Sequence, residues 1–89
     1  METIKLSLRG RVQGVFLRKN IQMRARELGL TGWTRNEPDG TVTCVATGAS
    51  SQLARLQAWL RSNPGSARID EVEAESLPLE TFESFRIAG

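Results

Sequence analysis

The order of its periodic segments is the feature that most constrains how this chain folds. Residues 3 to 9 alternate apolar and polar side chains with a period of two, which predicts a half-buried strand with Ile4, Leu6 and Leu8 on one face. Residues 18 to 28 are rich in helix formers, and Gly29 follows as a helix stop. One side of that helix is apolar and carries Leu17, Ile21, Ala25 and Leu28. The chain therefore begins with a strand, a short loop and an amphipathic helix.

A hairpin comes next. Residues 30 to 37 and 41 to 47 are enriched in Thr, Val and Trp and flank a turn made of Pro38, Asp39 and Gly40, which predicts two paired strands. In the second strand Cys44 alternates in step with Val42 and Ala46. We therefore expect Cys44 to be a small core residue rather than a nucleophile.

The last part of the chain predicts a helix and two strands. Ser50 or Ser51 is expected to cap a helix that ends at residues 63 to 65 and whose apolar side carries Leu53, Leu56 and Leu60. Residues 68 to 76 predict a strand that is apolar inward and acidic outward: Val72 and Ala74 against Glu71, Glu73 and Glu75. A short strand over residues 84 to 87, with Phe85 and Ile87 inward, closes the chain.

These segments follow the order β-α-β-β-α-β with a short terminal strand. That order predicts an α+β fold of the ferredoxin-like, split β-α-β type, in which two helices pack on one face of an antiparallel sheet. A chain of 89 residues has room for one core, so we expect a single domain over residues 1–89. This architecture hosts metabolite sensors, RNA-binding modules and enzymes alike, and it does not identify a function.

The composition excludes several kinds of active site. With no His and one Cys, the chain has no Ser-His or Cys-His catalytic pair, no His/Cys zinc site and no internal disulfide. The sequence also has no apolar run of about 18 residues and no signal-like leader, so we expect a cytoplasmic protein that does not enter a membrane.

Charge is concentrated in the first part of the chain. Residues 1 to 36 hold eight basic and two acidic side chains, whereas residues 37 to 89 hold four basic and eight acidic ones. The glycine-containing loop at residues 10 to 17 lies within this basic region and feeds a helix N-terminus, where free N–H groups and Arg18 favour an anion. An alternative is a tight connection whose glycines serve only the backbone turn. The glycine spacing matches neither a Walker A loop nor a dinucleotide-binding fingerprint.

Two segments make the chain recognisable. Residues 10 to 18, Gly-Arg-Val-Gln-Gly-Val-Phe-Leu-Arg, and residues 32 to 36, Gly-Trp-Thr-Arg-Asn, closely resemble the two signature segments of the acylphosphatase family. The resemblance continues through residues 39 to 48 to the late Phe85, Arg86 and Ile87. It covers nearly the whole chain, and two motifs at the family's mutual distance are far more specific than either alone.

The resemblance implies hydrolysis of acyl phosphates by a small enzyme. Arg18 would clamp the phosphate and Asn36 would orient the attacking water, while the backbone of five loop residues would form the phosphate cradle: Gln13, Gly14, Val15, Phe16 and Leu17. It implies no cofactor and no metal, a small-molecule acyl phosphate as the substrate, and a monomer. Leu17 stands where the family usually has Phe or Met, and Thr34 where it usually has Val, Ala or Cys. The family's common terminal aromatic residue is absent too.

A second hypothesis is a binding module of the same fold, either an RNA reader or a phosphate sensor without turnover. RNA readers of this architecture stack bases on aromatic side chains of the middle strands. Only Trp33 is placed to serve as such a platform, so we expect no nucleic-acid partner.

Overall fold

The computed structural model describes residues 1–88 and contains seven elements in this range. They are β1 (Glu2–Arg11), α1 (Leu17–Glu27), β2 (Thr31–Asn36), β3 (Val42–Gly48), α2 (Ser50–Arg61), β4 (Arg68–Leu77) and β5 (Phe85–Ile87). The strands form one sheet in the order β4-β1-β3-β2-β5. Element types and order match the sequence prediction, and the ferredoxin-like fold is confirmed.

Four strands pair antiparallel, as predicted, and the fifth pairs parallel to β2. Two α1 side chains hold β5 against the sheet, because Arg26 Nη2 and Gln22 Nε2 both donate to the carbonyl oxygen of Phe85, at 3.1 and 3.3 Å. The backbone of Ala88 also donates to Thr34 O at 2.8 Å. The short terminal strand therefore has a fixed position beside residues 32 to 34 of β2.

Both helices cover the same face of the sheet. Their apolar sides and the inward residues of β1 and β3 form one core cluster, which includes Leu6, Ile21, Val42 and Leu56, all fully buried. Cys44 belongs to this cluster and is fully buried, as predicted. Burial raises the pKa of the Cys44 thiol to about 12.

Three local predictions differ from the structure. Neither Ser50 nor Ser51 caps α2: the N-cap is Ala49, whose extended backbone aims its carbonyl at the first turn, with no side-chain cap. Ala74 pairs with Leu6 and so faces the helix side, but it is exposed because β4 is an edge strand and the helices do not cover it at this residue. Val72 is half-buried against the core and Glu71, Glu73 and Glu75 are exposed, as predicted.

Ile87 is the third difference. Phe85 is 1% exposed, as expected for an inward residue, whereas Ile87 is 39% exposed. The reason is its position at the last residue of β5, where it borders a surface cleft instead of the core.

Candidate active site

The loop between β1 and α1 reverses the chain through two left-handed residues. Gly14 has φ 73°, and Phe16, the N-cap of α1, has φ 59° and ψ 19°. The left-handed region is open to glycine but rare for a bulky aromatic residue. The loop is anchored on the core by three buried apolar side chains, those of Val12, Val15 and Leu17. The two left-handed residues between them are exposed at the surface.

The N-terminus of α1 carries no protein cap. Phe16 forms no side-chain cap hydrogen bond, and the first turn of the helix has no acidic residue. The first N–H groups of a helix lack intrahelical partners, and its N-terminal end carries a partial positive charge. This end of α1 therefore has the free N–H groups and the partial positive charge that favour an anion.

Gln13 joins this loop to the β2–β3 hairpin. Its Nε2 donates to the carbonyl oxygens of Glu37 and Thr41, each at 2.9 Å. The same two hairpin residues are themselves paired, because Glu37 N donates to Thr41 O at 2.8 Å. The side chain of Gln13 thus bridges the loop to the residue that directly follows Asn36, a connection that sequence reasoning missed.

Arg18 is the second residue of α1 and is half-buried. It lines a cleft of about 270 Å³ together with Asn36 from the end of β2. Within residues 1–88 its guanidinium forms neither a hydrogen bond nor an ion pair, in contrast to Arg35, whose Nε lies 3.0 Å from Glu37 Oε2. Arg18 therefore presents an uncompensated cation with a planar fork of donors to this cleft.

Asn36 has a buried acceptor that no protein group satisfies. Its Oδ1 is inaccessible to solvent and has no hydrogen-bond partner among residues 1–88. An unsatisfied buried polar atom costs roughly 1–3 kcal/mol, and native structures seldom leave one without a purpose or a bound partner. Asn36 and the free guanidinium of Arg18 line the same cleft, where a carboxamide that turns its oxygen toward the opening would meet a donor, such as water, beside an anion.

Thr34 lies on the same side of β2 as Asn36, and its hydroxyl has a hydrogen-bond partner outside the cleft. It is fully buried, and its hydroxyl donates to Thr43 O at 3.0 Å in the neighbouring strand. The hydroxyl that sets this residue apart from the family's usual apolar side chain is therefore bonded to β3 backbone.

The cleft brings together five of the seven predicted site residues: Gly14, Phe16, Leu17, Arg18 and Asn36. Gln13 and Val15 are in the same loop but do not line it. Val12, Lys19 and Ile87 line the cleft and were not predicted as site residues. The position of Lys19 beside Arg18 was a usable signal, but nothing local to Ile87 indicates the site, because only the pairing of β5 with β2 carries it there.

Asn36 stands in the chain between two charged residues, Arg35 and Glu37, and Glu37 is the acidic one. Its carboxylate accepts hydrogen bonds from Thr43 Oγ1 at 2.6 Å and from Arg35 Nε at 3.0 Å. The Thr43 bond, followed by the Arg35 bond, lowers the pKa of Glu37 from its ordinary value of 4.5. The hairpin therefore keeps a structural ion pair beside the cleft.

A larger groove of about 670 Å³ lies along β2 and β5 and is bordered by Trp33, Phe82 and Arg86. The Arg35 guanidinium lies over the Trp33 ring, 4.9 Å from its centroid, and also pairs with Glu37. One face of the indole is thereby covered. This reduces the value of Trp33 as a stacking platform for a base.

The fold and the cleft define a small ferredoxin-like α+β protein with a cationic site between its first loop and the end of β2. A model of the Acylphosphatase family matches residues 4–87. The chain therefore belongs to the acylphosphatase family, whose reaction is the hydrolysis of acyl phosphates.

Individual relatives agree. An acylphosphatase of Marinobacter nauticus is 49% identical over 82 residues, which cover 91% of this chain and 89% of that protein. The structure of an acylphosphatase from Coxiella burnetii, 36% identical, covers 98% of this chain with a TM-score of 0.93, and 92% of that chain is covered. The acylphosphatase from Bacillus subtilis, 28% identical, superposes with a TM-score of 0.95 over 100% of both chains.

Proposed function

We propose that this chain hydrolyses the carboxyl–phosphate bond of small acyl phosphates, with Arg18 as the phosphate clamp and Asn36 as the residue that orients water. The observation that carries this assignment is the presence, in one cleft, of an unpaired guanidinium and a buried amide oxygen without a partner. The backbone of residues 13 to 17, leading into the uncapped N-terminus of α1, would supply the remaining phosphate contacts.

The reaction makes few demands on the protein. An acyl phosphate is a mixed anhydride with a carboxylate leaving group. The water oxygen forms a bond to phosphorus, the phosphorus–oxygen bond to the acyl group breaks with its electron pair on the departing carboxylate, and the water proton passes to the released phosphate. No group has to be a strong base, which is compatible with a chain that has no His.

Each residue would act through position and charge. In the structure the Asn36 amide oxygen is closed to solvent, so its carboxamide would turn toward the cleft to accept a hydrogen bond from water and hold that water in line with phosphorus. Orientation of this kind contributes part of the ~7–11 kcal/mol available from proximity. The Arg18 guanidinium donates two parallel hydrogen bonds to phosphate oxygens and neutralises their developing charge. The loop N–H groups would do the same from the opposite side of the anion.

Turnover of benzoyl phosphate in the presence of a chelator tests the assignment. We expect Arg18→Ala to lower kcat/KM by about a hundredfold or more, and Arg18→Lys to fail as well, because an ammonium lacks the bidentate fork. Asn36→Ala should lower kcat while leaving inhibition by inorganic phosphate nearly unchanged. Arg55→Ala, at an exposed arginine of α2, is the matched control and should behave like wild type. Normal turnover by Arg18→Ala would contradict the proposal.

The remaining parts of the proposal concern context. The chain would work without a metal, as a monomer in the cytoplasm, on a small molecule and not on nucleic acid. Residues 1–88 contain no group of three or more potential metal-ligating side chains, and none of their helices has the length and apolar character needed to cross a membrane. Activity that survives chelation, and a monomer mass in solution, are the expected results.

A further inference from the structure

We propose that the side chains of Phe16 and Ile87 form the acyl-binding wall of the cleft and set how well the protein uses an aromatic acyl phosphate relative to acetyl phosphate. This inference rests on the proposed function, because it takes the phosphate to lie against Arg18. It concerns the part of the substrate that Arg18 and Asn36 do not contact.

Among residues 1–88, two of those that line the cleft leave a large apolar side chain exposed to solvent. Val12 and Leu17 also line the cleft, but they are 2% and 1% exposed and are anchored in the core. Phe16 is 83% exposed and Ile87 is 39% exposed. Any acyl group that extends from a phosphate in this cleft therefore has these two side chains as its apolar contacts.

The presence of Phe at position 16 has no structural explanation. The residue adopts a left-handed conformation that disfavours bulky side chains, and its exposed ring adds nothing to the core. Glycine or asparagine would suit this backbone better. A residue held in a disfavoured conformation at a candidate site points to a functional role, and a ring beside the phosphate position points to contact with the substrate.

Two separate elements supply this wall. Phe16 is the N-cap of α1, and Ile87 is at the end of β5, which α1 holds through hydrogen bonds to Phe85 O. The cleft of about 270 Å³ lies at the small end of the range for ligand sites. It suits a phosphate with one compact ring, for which an aromatic side chain supplies more contact than it can supply to a methyl group.

The test compares benzoyl phosphate with acetyl phosphate in the same protein preparation. We expect the ratio of their kcat/KM values to fall roughly fivefold to twentyfold in Phe16→Ala, and by a smaller factor in Ile87→Ala, relative to wild type. Because the ratio is taken within one sample, a partly unfolded fraction cancels. Leu79→Ala is the matched control, since Leu79 is 60% exposed and does not line the cleft.

The outcomes separate this inference from the function on which it rests. An unchanged benzoyl-to-acetyl ratio in both Phe16→Ala and Ile87→Ala, together with loss of both activities in Arg18→Ala, would overturn the acyl-binding wall alone. Wild-type turnover in Arg18→Ala would overturn the proposed site itself. Phe16→Leu, which keeps an apolar side chain, should retain an intermediate ratio.

Discussion

The Nε2 of Gln13 donates a 2.9 Å hydrogen bond to the carbonyl oxygen of Glu37, so the loop between β1 and α1 is bonded to the residue next to Asn36. The same Nε2 donates a second bond of the same length to Thr41 O, on the other side of the hairpin turn. The two halves of the proposed site, the loop with Arg18 and the strand end with Asn36, are far apart in sequence. Gln13 is the side chain that sets their relative position.

Loss of this bridge should affect catalysis more than folding. Gln13→Ala removes two hydrogen bonds, which contribute about 1–3 kcal/mol together, and allows the loop to shift relative to Asn36. We expect kcat to fall roughly tenfold to a hundredfold, because small displacements of reacting groups are costly. The measurement is steady-state hydrolysis alongside urea denaturation.

Gln52→Ala is the matched control for this variant. Gln52 Nε2 also donates to a backbone carbonyl, that of Leu28 at 3.1 Å, but it lies on α2 and does not line the cleft. Because Gln52 makes one such bond, a loss of stability of about 0.5–1.5 kcal/mol with normal kcat is expected. Equal loss of kcat in both variants would show that Gln13 acts only through stability.

Thr34→Val should separate the strand's stability from its activity. The Thr34 hydroxyl is buried and donates to Thr43 O, so its removal is expected to lower the free energy of unfolding by about 0.5–1.5 kcal/mol. Because this hydroxyl is bonded to β3 backbone, we expect kcat within about twofold of wild type. A large change in kcat would instead show that Thr34 tunes Asn36.

The left-handed backbone at Phe16 should make glycine more stable than alanine there. Phe16→Gly is expected to exceed Phe16→Ala by about 1 kcal/mol in the free energy of unfolding, since a left-handed conformation is open to glycine. The reverse order is expected at Ala54, which is exposed within α2, where Ala54→Gly should cost about 1 kcal/mol. Thermal or urea denaturation measures both, and a less stable Phe16→Gly would contradict the conformation.

Glu37 should contribute to stability in a pH-dependent way. Its pKa is lowered in the folded protein, chiefly by the Thr43 hydroxyl and then by Arg35, so the stabilisation is present above the ordinary pKa of 4.5. It is lost as the pH falls through the lowered folded-state pKa. We expect Glu37→Gln to lose less stability than wild type when the pH is lowered from about 6 to about 3, a range that brackets the pKa of the carboxyl group.

Glu73→Gln is the control for that series. Glu73 is exposed on β4 and forms no ion pair with any of residues 1–88, so its variant should follow the wild-type curve. Urea denaturation at each pH gives the comparison, and identical curves for Glu37→Gln and wild type would remove the role assigned to the carboxylate.

The thiol of Cys44 should be inert in the folded protein. Burial raises its pKa to about 12, so near pH 8 it remains the neutral thiol and is shielded by the core. Ellman's reagent is expected to modify it only after denaturation. Rapid labelling of the native protein would show that β3 opens.

Local chemistry explains why so much could be predicted from the sequence. Strand and helix periodicity located all seven elements to within a few residues, and the face of each residue on β1 and β3 followed from alternation alone. Two ordered motifs identified the family, and five of the residues they pointed to meet in one cleft. These properties depend on neighbours along the chain, which the sequence displays directly.

Tertiary structure decided the rest, because it depends on contacts between distant residues. The parallel pairing of β5 with β2 brings Ile87 to the cleft, and the exposure of Ala74 follows from its place on an edge strand. The direction of the Gln13 amide is visible only once the hairpin lies beside the loop. The sequence by itself determined which residues are expected to hold a phosphate, whereas packing across the sheet determined how Arg18 and Asn36 share one cleft and which side chains surround them.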